Sequence, residues 1–288
     1  MNDFVIYTDS GCDIVPEVLA QWGVAWSSLS FCFDDEEIEY TATDMSVKTF
    51  YDRMREGKAA KTSAINIGRF LEAFEPILQQ GKDILYIGFS SALSTTYNSA
   101  AIAAGQLAVQ YPERKVITVD SLSASAGQGM LVYLAAQKRR SGATLAETAA
   151  YVEQMKLQIC HWVMVDDLEY LKRGGRISPT VAFVGNALGI KPQIHVDNGG
   201  RLVNVSKVRG KKKALAALAD KYGELAVDPS AGVVFISHSD YEEDARGLAC
   251  LLDERYGVKV ELITDIGTVI GAHTGPGTVA LFFVGRER

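Results

Sequence analysis

Three times before residue 126, a β-prone apolar run stops at a turn crowded with hydroxyls. Phe4-Val5-Ile6-Tyr7 enters Thr8-Asp9-Ser10-Gly11. Ile84-Leu85-Tyr86-Ile87-Gly88-Phe89 enters Ser90-Ser91-Ala92-Leu93-Ser94-Thr95-Thr96. Val116-Ile117-Thr118-Val119 enters Asp120-Ser121-Leu122-Ser123-Ala124-Ser125. Helical patterns fill the intervals. Asp44 or Ser46 can cap a helix with Val47, Phe50, Tyr51 and Met54 on one face. Phe70, Leu71, Phe74, Ile77 and Leu78 mark a second helix, and Ala100, Ala104, Leu107 and Ala108 a third. Gly127 to Arg140 reads as helix, and Thr144 with Glu147 forms a capping box for one more, through Val152 and Met155. Strands alternating with helices in this way call for an α/β unit, a mainly parallel sheet with helices on both faces. Ligands of such sheets sit beyond the carboxyl ends of the strands, where the three polar turns fall.

The remaining sequence follows another pattern. His161–Val165 reads as a strand, and Ser178-Pro179 opens a helix with Val181, Val184 and Leu188. Gln193–Val196 and Arg201–Val205 flank Asp197-Asn198-Gly199-Gly200, a hairpin signal. Lys211 to Tyr222 is helical, Val233–Ser237 is a strand, and a polar helix runs to about Tyr256. Val258–Ile263 and Thr278–Val284 complete the strands. These elements suit an α+β domain with a mixed or antiparallel sheet. The chain has 288 residues, enough for two domains. We expect an N-terminal α/β domain over 1–157 and a C-terminal α+β domain over 158–288, with the ligand between them.

Composition narrows the function. The net charge of −6 disfavours nucleic acid and anionic membranes as partners. Cys12, Cys32, Cys160 and Cys250 are scattered without a CxxC pair, which argues against a zinc site or disulfide framework and for a reducing cytoplasm. The N-terminus lacks the basic and apolar regions of a signal peptide. No apolar run approaches the ~18 residues of a membrane span, so no stable membrane insertion is expected.

The turn after Phe89 admits two chemistries. One is a nucleophile elbow, but Gly88-Phe89-Ser90-Ser91-Ala92 lacks the second glycine of G-x-S-x-G. None of the histidines, His161, His195, His238 and His273, sits in a local triad signature. The other is an anion cradle. A helix N-terminus exposes free N–H groups and a positive dipole end, and Ser94, Thr95 and Thr96 would add hydroxyls. His161, beside Trp162 in an apolar run, reads as structural. Asp34-Asp35-Glu36-Glu37 reads as a solvated turn. Lys207 to Lys213 reads as a solvated helix start, as a nucleic-acid patch that lacks interleaved aromatics and is opposed by the net acidity, or as a docking surface for an acidic or phosphate-bearing partner, and Leu171 to Arg176 as a second basic turn with paired glycines. Gly271 to Thr278 is a glycine-rich turn that leaves room around His273.

In order along the chain, TDSGCDI, KTSAINIGRF, IGFSSALSTTYNSA, VDSLSASAGQGMLV, LEYLKRGGRIS, LGIKPQIHV, KVRGKKKAL and GAHTGPGTVALFFVG resemble the DegV family. Its members include the fatty-acid-binding subunits of bacterial fatty acid kinase. The resemblance implies a long-chain fatty acid, such as palmitate, buried between two domains, with no cofactor and no metal. It implies Thr62, Ser94 and His273 at the carboxylate, with Thr95 beside them. It also implies a partner, the fatty acid kinase catalytic subunit, facing Arg209, with Arg173 in the second basic turn as a further contact. That partner makes the acyl phosphate, so this chain would present substrate as a non-catalytic carrier. A serine esterase using the 90–96 turn is the alternative. The sequence departs from the family pattern in two places: Ala64-Ile65-Asn66 replaces Q-P-S, and Thr95 stands where glycine is usual.

Burial makes such a carrier feasible. Each CH₂ yields up to ~0.8 kcal/mol, so a sixteen-carbon tail offers on the order of 10 kcal/mol before ordering costs. The carboxylate needs hydrogen-bond donors, because an unpaired buried anion costs several kcal/mol.

Overall fold

The computed structural model describes residues 4–177 and 189–288. The helix expected from Ser178-Pro179 through Leu188 lies outside the described residues. In chain order the first elements are β1 (Phe4–Asp9), α1 (Pro16–Trp22), β2 (Val24–Ser27), β3 (Ser30–Phe33), β4 (Tyr40–Thr41), α2 (Val47–Arg55) and β5 (Ala60–Ser63). Then come α3 (Ile67–Gln79), β6 (Asp83–Gly88), α4 (Thr96–Gln110), β7 (Val116–Asp120), α5 (Ala126–Arg140) and α6 (Leu145–Met155). The chain continues with β8 (Ile159–Met164), α7 (Glu169–Arg173), β9 (Ile190–Val196), β10 (Leu202–Arg209) and α8 (Lys211–Leu225). It ends with β11 (Val234–His238), α9 (Glu242–Tyr256), β12 (Leu262–Asp265), α10 (Thr268–Thr274) and β13 (Val279–Val284).

Three sheets organise these elements. The first is fully parallel, in the order β2-β1-β6-β7. Its strands read as unbroken apolar runs because both faces are covered. Phe70, Phe74, Leu78, Ala100, Ala103 and Leu107 of α3 and α4 bury Ile84 and Tyr86 on one face. On the other, α5 and α6 bury Ile6, Leu85 and Ile87. Thr144 and Glu147 make the capping box expected of them at the start of α6. The second sheet is mixed, in the order β10-β9-β8-β13-β11-β12. Its outer face packs on α8 and α9 through Trp162, Met164, Leu218, Leu248, Leu281 and Phe283. The α/β architecture with a parallel sheet and a mixed one is thus the one the patterns called for.

Helix α5 joins the halves. Ala126, Met130 and Leu131 share one core with Ile6 and Leu85 of the parallel sheet and with Phe235, Ala280 and Phe282 of the mixed sheet. A helix sandwiched this way must be apolar nearly all round, and α5 is buried continuously from Ala126 to Val132.

Several details differ from the sequence reading. A third, antiparallel sheet, β4-β3-β5, was not foreseen. Its strands are two to four residues long, too short for an alternation signal. The strand expected at Val258–Ile263 begins later, at Leu262, because Val258 turns into the α8–α9 core. Lys207 and Arg209 end strand β10 rather than starting a helix, paired with Pro192 and Ile190.

Candidate functional site

The inner face of the mixed sheet walls a cavity of about 520 Å³. Side chains alternate along a strand, so β8 sends Trp162 and Met164 to the outer core and His161 and Val163 to the cavity, with Val165 following on the same side. Ala280 and Phe282 of β13 and Ile194 and Val196 of β9 extend this wall. Opposite stand the polar turns after β6 and β7, at the carboxyl end of the parallel sheet, and α10 closes the remaining side. The volume and the apolar walls suit one small amphipathic ligand.

The Asp9 carboxyl and backbone amides hold the turns to each other, while most of the turn hydroxyls bond within their own turn or to other segments. The buried Asp9 carboxylate accepts from the Phe89 and Gly11 amides at 2.9 and 3.0 Å and from the Tyr86 hydroxyl at 2.6 Å. Burial pushes the Asp9 carboxyl up from its ordinary value, and these donors partly offset that. The Ser90 amide donates to Ser123 O, and the Ser125 amide to Gly11 O. The Ser90 hydroxyl is fully buried and donates to Gly200 O at 2.9 Å, so no imidazole activates it. Ser125 bonds Ser237 across the sheets at 3.0 Å.

What remains is a compact polar end. Thr62 on β5 and His273 on α10 meet through Thr62 Oγ1 and His273 Nε2 at 2.8 Å. Ser94 caps α4 in place of Thr95, because Ser94 Oγ accepts from the Thr96 amide at 3.2 Å. Thr62, Ser94, Thr95 and His273 all line the cavity. Thr95 has φ −77°, ordinary right-handed backbone, so a β-branched residue fits there without strain. Ala64 also lines the cavity, while Ile65 is buried and Asn66 caps α3 by accepting from the Arg69 amide.

The segment around His273 is not the long turn that its glycines suggested. Thr268–Thr274 is helical, and only Gly275 and Gly277 take positive φ. Buried Val269, Ile270 and Ala272 hold this helix, and Asp13 Oδ1 accepts from the Gly267 amide at its start. His273 Nδ1 is buried without a partner. Burial, then the charges of Arg176 and Arg173, hold its pKa down to about 4, so the ring is neutral near pH 7.

Arg176 is the residue sequence reading missed. It lines the cavity half-buried, with Nε on Leu93 O at 3.1 Å and a terminal nitrogen on Gly174 O at 2.5 Å. No carboxylate pairs with it among the described residues. Arg173, the arginine singled out in the same turn, ends α7, is exposed, and lies over the Tyr170 ring at 5.1 Å. Arg209 is exposed at the end of β10 and does not line the cavity. Among the described residues no cluster of His, Cys, Asp and Glu could hold a metal, and no helix is long and apolar enough to cross a membrane.

Comparison with known proteins places this geometry. A DegV domain-containing protein of Clostridium perfringens is 44% identical, with the alignment covering 100% of this chain and 99% of that one. Among solved structures, a DegV lipid-binding protein of Thermotoga maritima matches with TM-score 0.88 and 30% identity, covering 99% of each chain. A DegV family protein of Thermus thermophilus, described by its fatty acid binding, matches with TM-score 0.88 and 28% identity, covering 98% of this chain and 99% of that one. The family model described as uncharacterised proteins of the DegV family matches residues 3–286. With match and fold agreeing over nearly its whole length, the chain belongs to the DegV family.

Proposed function

We propose that this protein binds one long-chain fatty acid, such as palmitate, with its carboxylate on Arg176, His273, Thr62 and Ser94 and Thr95 alongside. One observation carries the reading: a half-buried guanidinium with no counter-ion among the described residues stands at the polar end of a largely apolar cavity. A charge-assisted bond to a carboxylate satisfies it, and the hydroxyls complete the shell. The fatty acid and lipid binding described for the Thermus and Thermotoga proteins supports the same ligand. The ligand then lies between an N-terminal unit, 1–157, and a C-terminal unit, 158–288, with α5 bridging them.

The protein acts as a carrier without a cofactor. It offers the carboxylate to a fatty acid kinase catalytic subunit for phosphorylation, with Arg209 and Arg173 facing that partner. Four free thiols are in keeping with work in the cytoplasm.

Native mass spectrometry of protein taken from cells tests the core of this reading. A bound fatty acid is expected; protein that is always empty, and that fails to bind palmitate after delipidation, overturns it. Joint replacement of Thr62 and Ser94 by Ala is expected to weaken palmitate by about tenfold or more with an unchanged fold. A fluorophosphonate probe separates carrier from esterase, since a carrier stays unlabelled.

A further inference from the structure

The cavity has a closed end, and a residue outside it holds that end in place. Val163 and Val165 line the cavity; beyond Val165 the chain enters α7, and α10 leads into β13 beside Met164. The carboxylate end is therefore the Val165 end. His161 stands four residues earlier, ~13 Å further back along the strand at about 3.3 Å per residue. There it pairs across the sheet with Phe282 of β13, and the two rings pack edge-on at 5.4 Å. Both residues line the cavity, yet each is only 1% exposed, so they close it rather than flank it.

Helix α5 backs both rings at Gly127. A Cβ there would stand 2.2 Å from His161 Nε2 and 2.9 Å from Phe282 Cδ1, so the rings rest on bare helix backbone. Gly127 itself does not line the cavity. The helix cannot retreat from the rings. Two residues on, about 200° round the helix, a Cβ at Gly129 would stand 2.6 Å from Ile14 and 3.0 Å from Cys12 O. The start of α5 is fixed as well, because the Ser125 amide donates to Gly11 O at 2.8 Å.

The rings are also held at their own strands. His161 Nδ1 is tied to Ile159 O at 2.9 Å, and Phe282 lies between paired residues of β8 and β11. Any bulk added at position 127 must push them away from α5, and the space open to them is the cavity they close.

We infer that Gly127 sets the depth of the cavity through His161 and Phe282, a positioning residue that fixes the longest acyl chain the protein holds. The inference rests on the fatty-acid reading above and extends it from the carboxylate to the far end of the tail. With the carboxylate held at Thr62, Arg176 and His273, each buried methylene tightens binding about fourfold until the chain end meets the rings.

The test is the affinity of delipidated protein for laurate, myristate, palmitate and stearate. Gly127→Ala is expected to shorten the preferred acid by about two carbons, lowering the palmitate-to-laurate affinity ratio about tenfold or more. Phe282→Leu and His161→Ala take atoms from the same wall and should act the other way, raising the stearate-to-palmitate ratio about threefold or more. His161→Ala also makes room for a methyl. Gly127→Ala in that background, compared with His161→Ala alone, reads the same shortening where the single variant fails to fold. A fold that is merely destabilised weakens all four acids by one factor, and that result in Gly127→Ala overturns the inference alone. So does a length preference unchanged in both Phe282→Leu and His161→Ala. Natural protein that binds none of the four acids overturns the fatty-acid reading and this inference with it.

Discussion

His273 is a histidine the fold keeps neutral, and that has a pH consequence. Its folded pKa is about 4 against an ordinary 6.5, with burial the main cause and Arg176 and Arg173 next. The unfolded chain therefore takes up the proton first on acidification. The contribution is fully present above pH 6.5 and is lost as pH falls towards 4, amounting to at most about 3 kcal/mol. Urea unfolding of delipidated protein should show this loss, and His273→Gln should flatten it. A variant with the same acid slope would assign the loss elsewhere. At the same scale, Arg176→Met keeps most of the apolar stem and removes the charge. It is expected to cost palmitate tenfold or more in affinity with little change in melting temperature. Arg176 also marks where the sequence stops being legible. The basic turn was visible, and Arg173 was singled out within it. Which arginine points inward depends on α7 ending at Arg173 and on the Gly174-Gly175 turn, where Gly175 has φ +69°, redirecting the chain. Composition carries no trace of that direction.

Helix α10 shows how an element too short to stand alone is made rigid. Its seven residues cannot form a stable helix by propensity. Asp13 takes up the Gly267 amide at 3.0 Å, and the Tyr51 hydroxyl bonds Ile266 O at 2.8 Å. Sequence reading saw the histidine and the glycines of this segment but not the helix, because both braces come from residues more than two hundred positions away. Three strands of the parallel sheet, β1, β6 and β7, were legible for the opposite reason, since they are continuous apolar runs, whereas the four-residue β2 was not. The brace can be tested. Asp13→Ala should cost about 1–2 kcal/mol of stability, whereas Asp13→Asn keeps an acceptor for Gly267 and should cost less. Burial raises the Asp13 carboxyl to about 8. A raised carboxyl gives stability that is present at low pH and is lost as pH climbs through that value. Thermal melts should therefore show Asp13→Asn gaining on the natural protein as pH rises from about 4 to about 8; a constant gap would mean the carboxyl ionises normally. Gly174 braces α10 from the other side. A Cβ there would lie 2.1 Å from His273 Nδ1, so Gly174→Ala should displace the imidazole and weaken palmitate binding more than it weakens the fold.

At the scale of the molecule, charge and topology converge on one end of the mixed sheet. The chain carries a net −6, yet the end of β10 and the start of α8 expose Lys207, Arg209, Lys212 and Lys213. Pairing registers bring that end to the same side of the sheet as His273 and Arg176. Arg209 lies opposite Ile190 at the start of β9, and Met164 at the end of β8 lies opposite both Gln193 and Val279. Beyond Met164 the chain enters α7 with Arg173, and before Val279 it leaves α10 with His273. The exposed cations thus share an end with the group that a kinase would have to reach. A concentrated basic face on an acidic protein orients an encounter more than it tightens one, so its removal should act mainly on association. With the kinase catalytic subunit and ATP, Arg209→Ala is expected to cut acyl-phosphate formation tenfold or more at low kinase concentration. Palmitate affinity should stay unchanged, because Arg209 does not line the cavity. Raising salt should slow the natural protein towards the variant's rate. Equal rates for the two proteins at low salt would move the docking surface away from β10, and a parallel loss of palmitate binding would mean that the substitution disturbs the sheet.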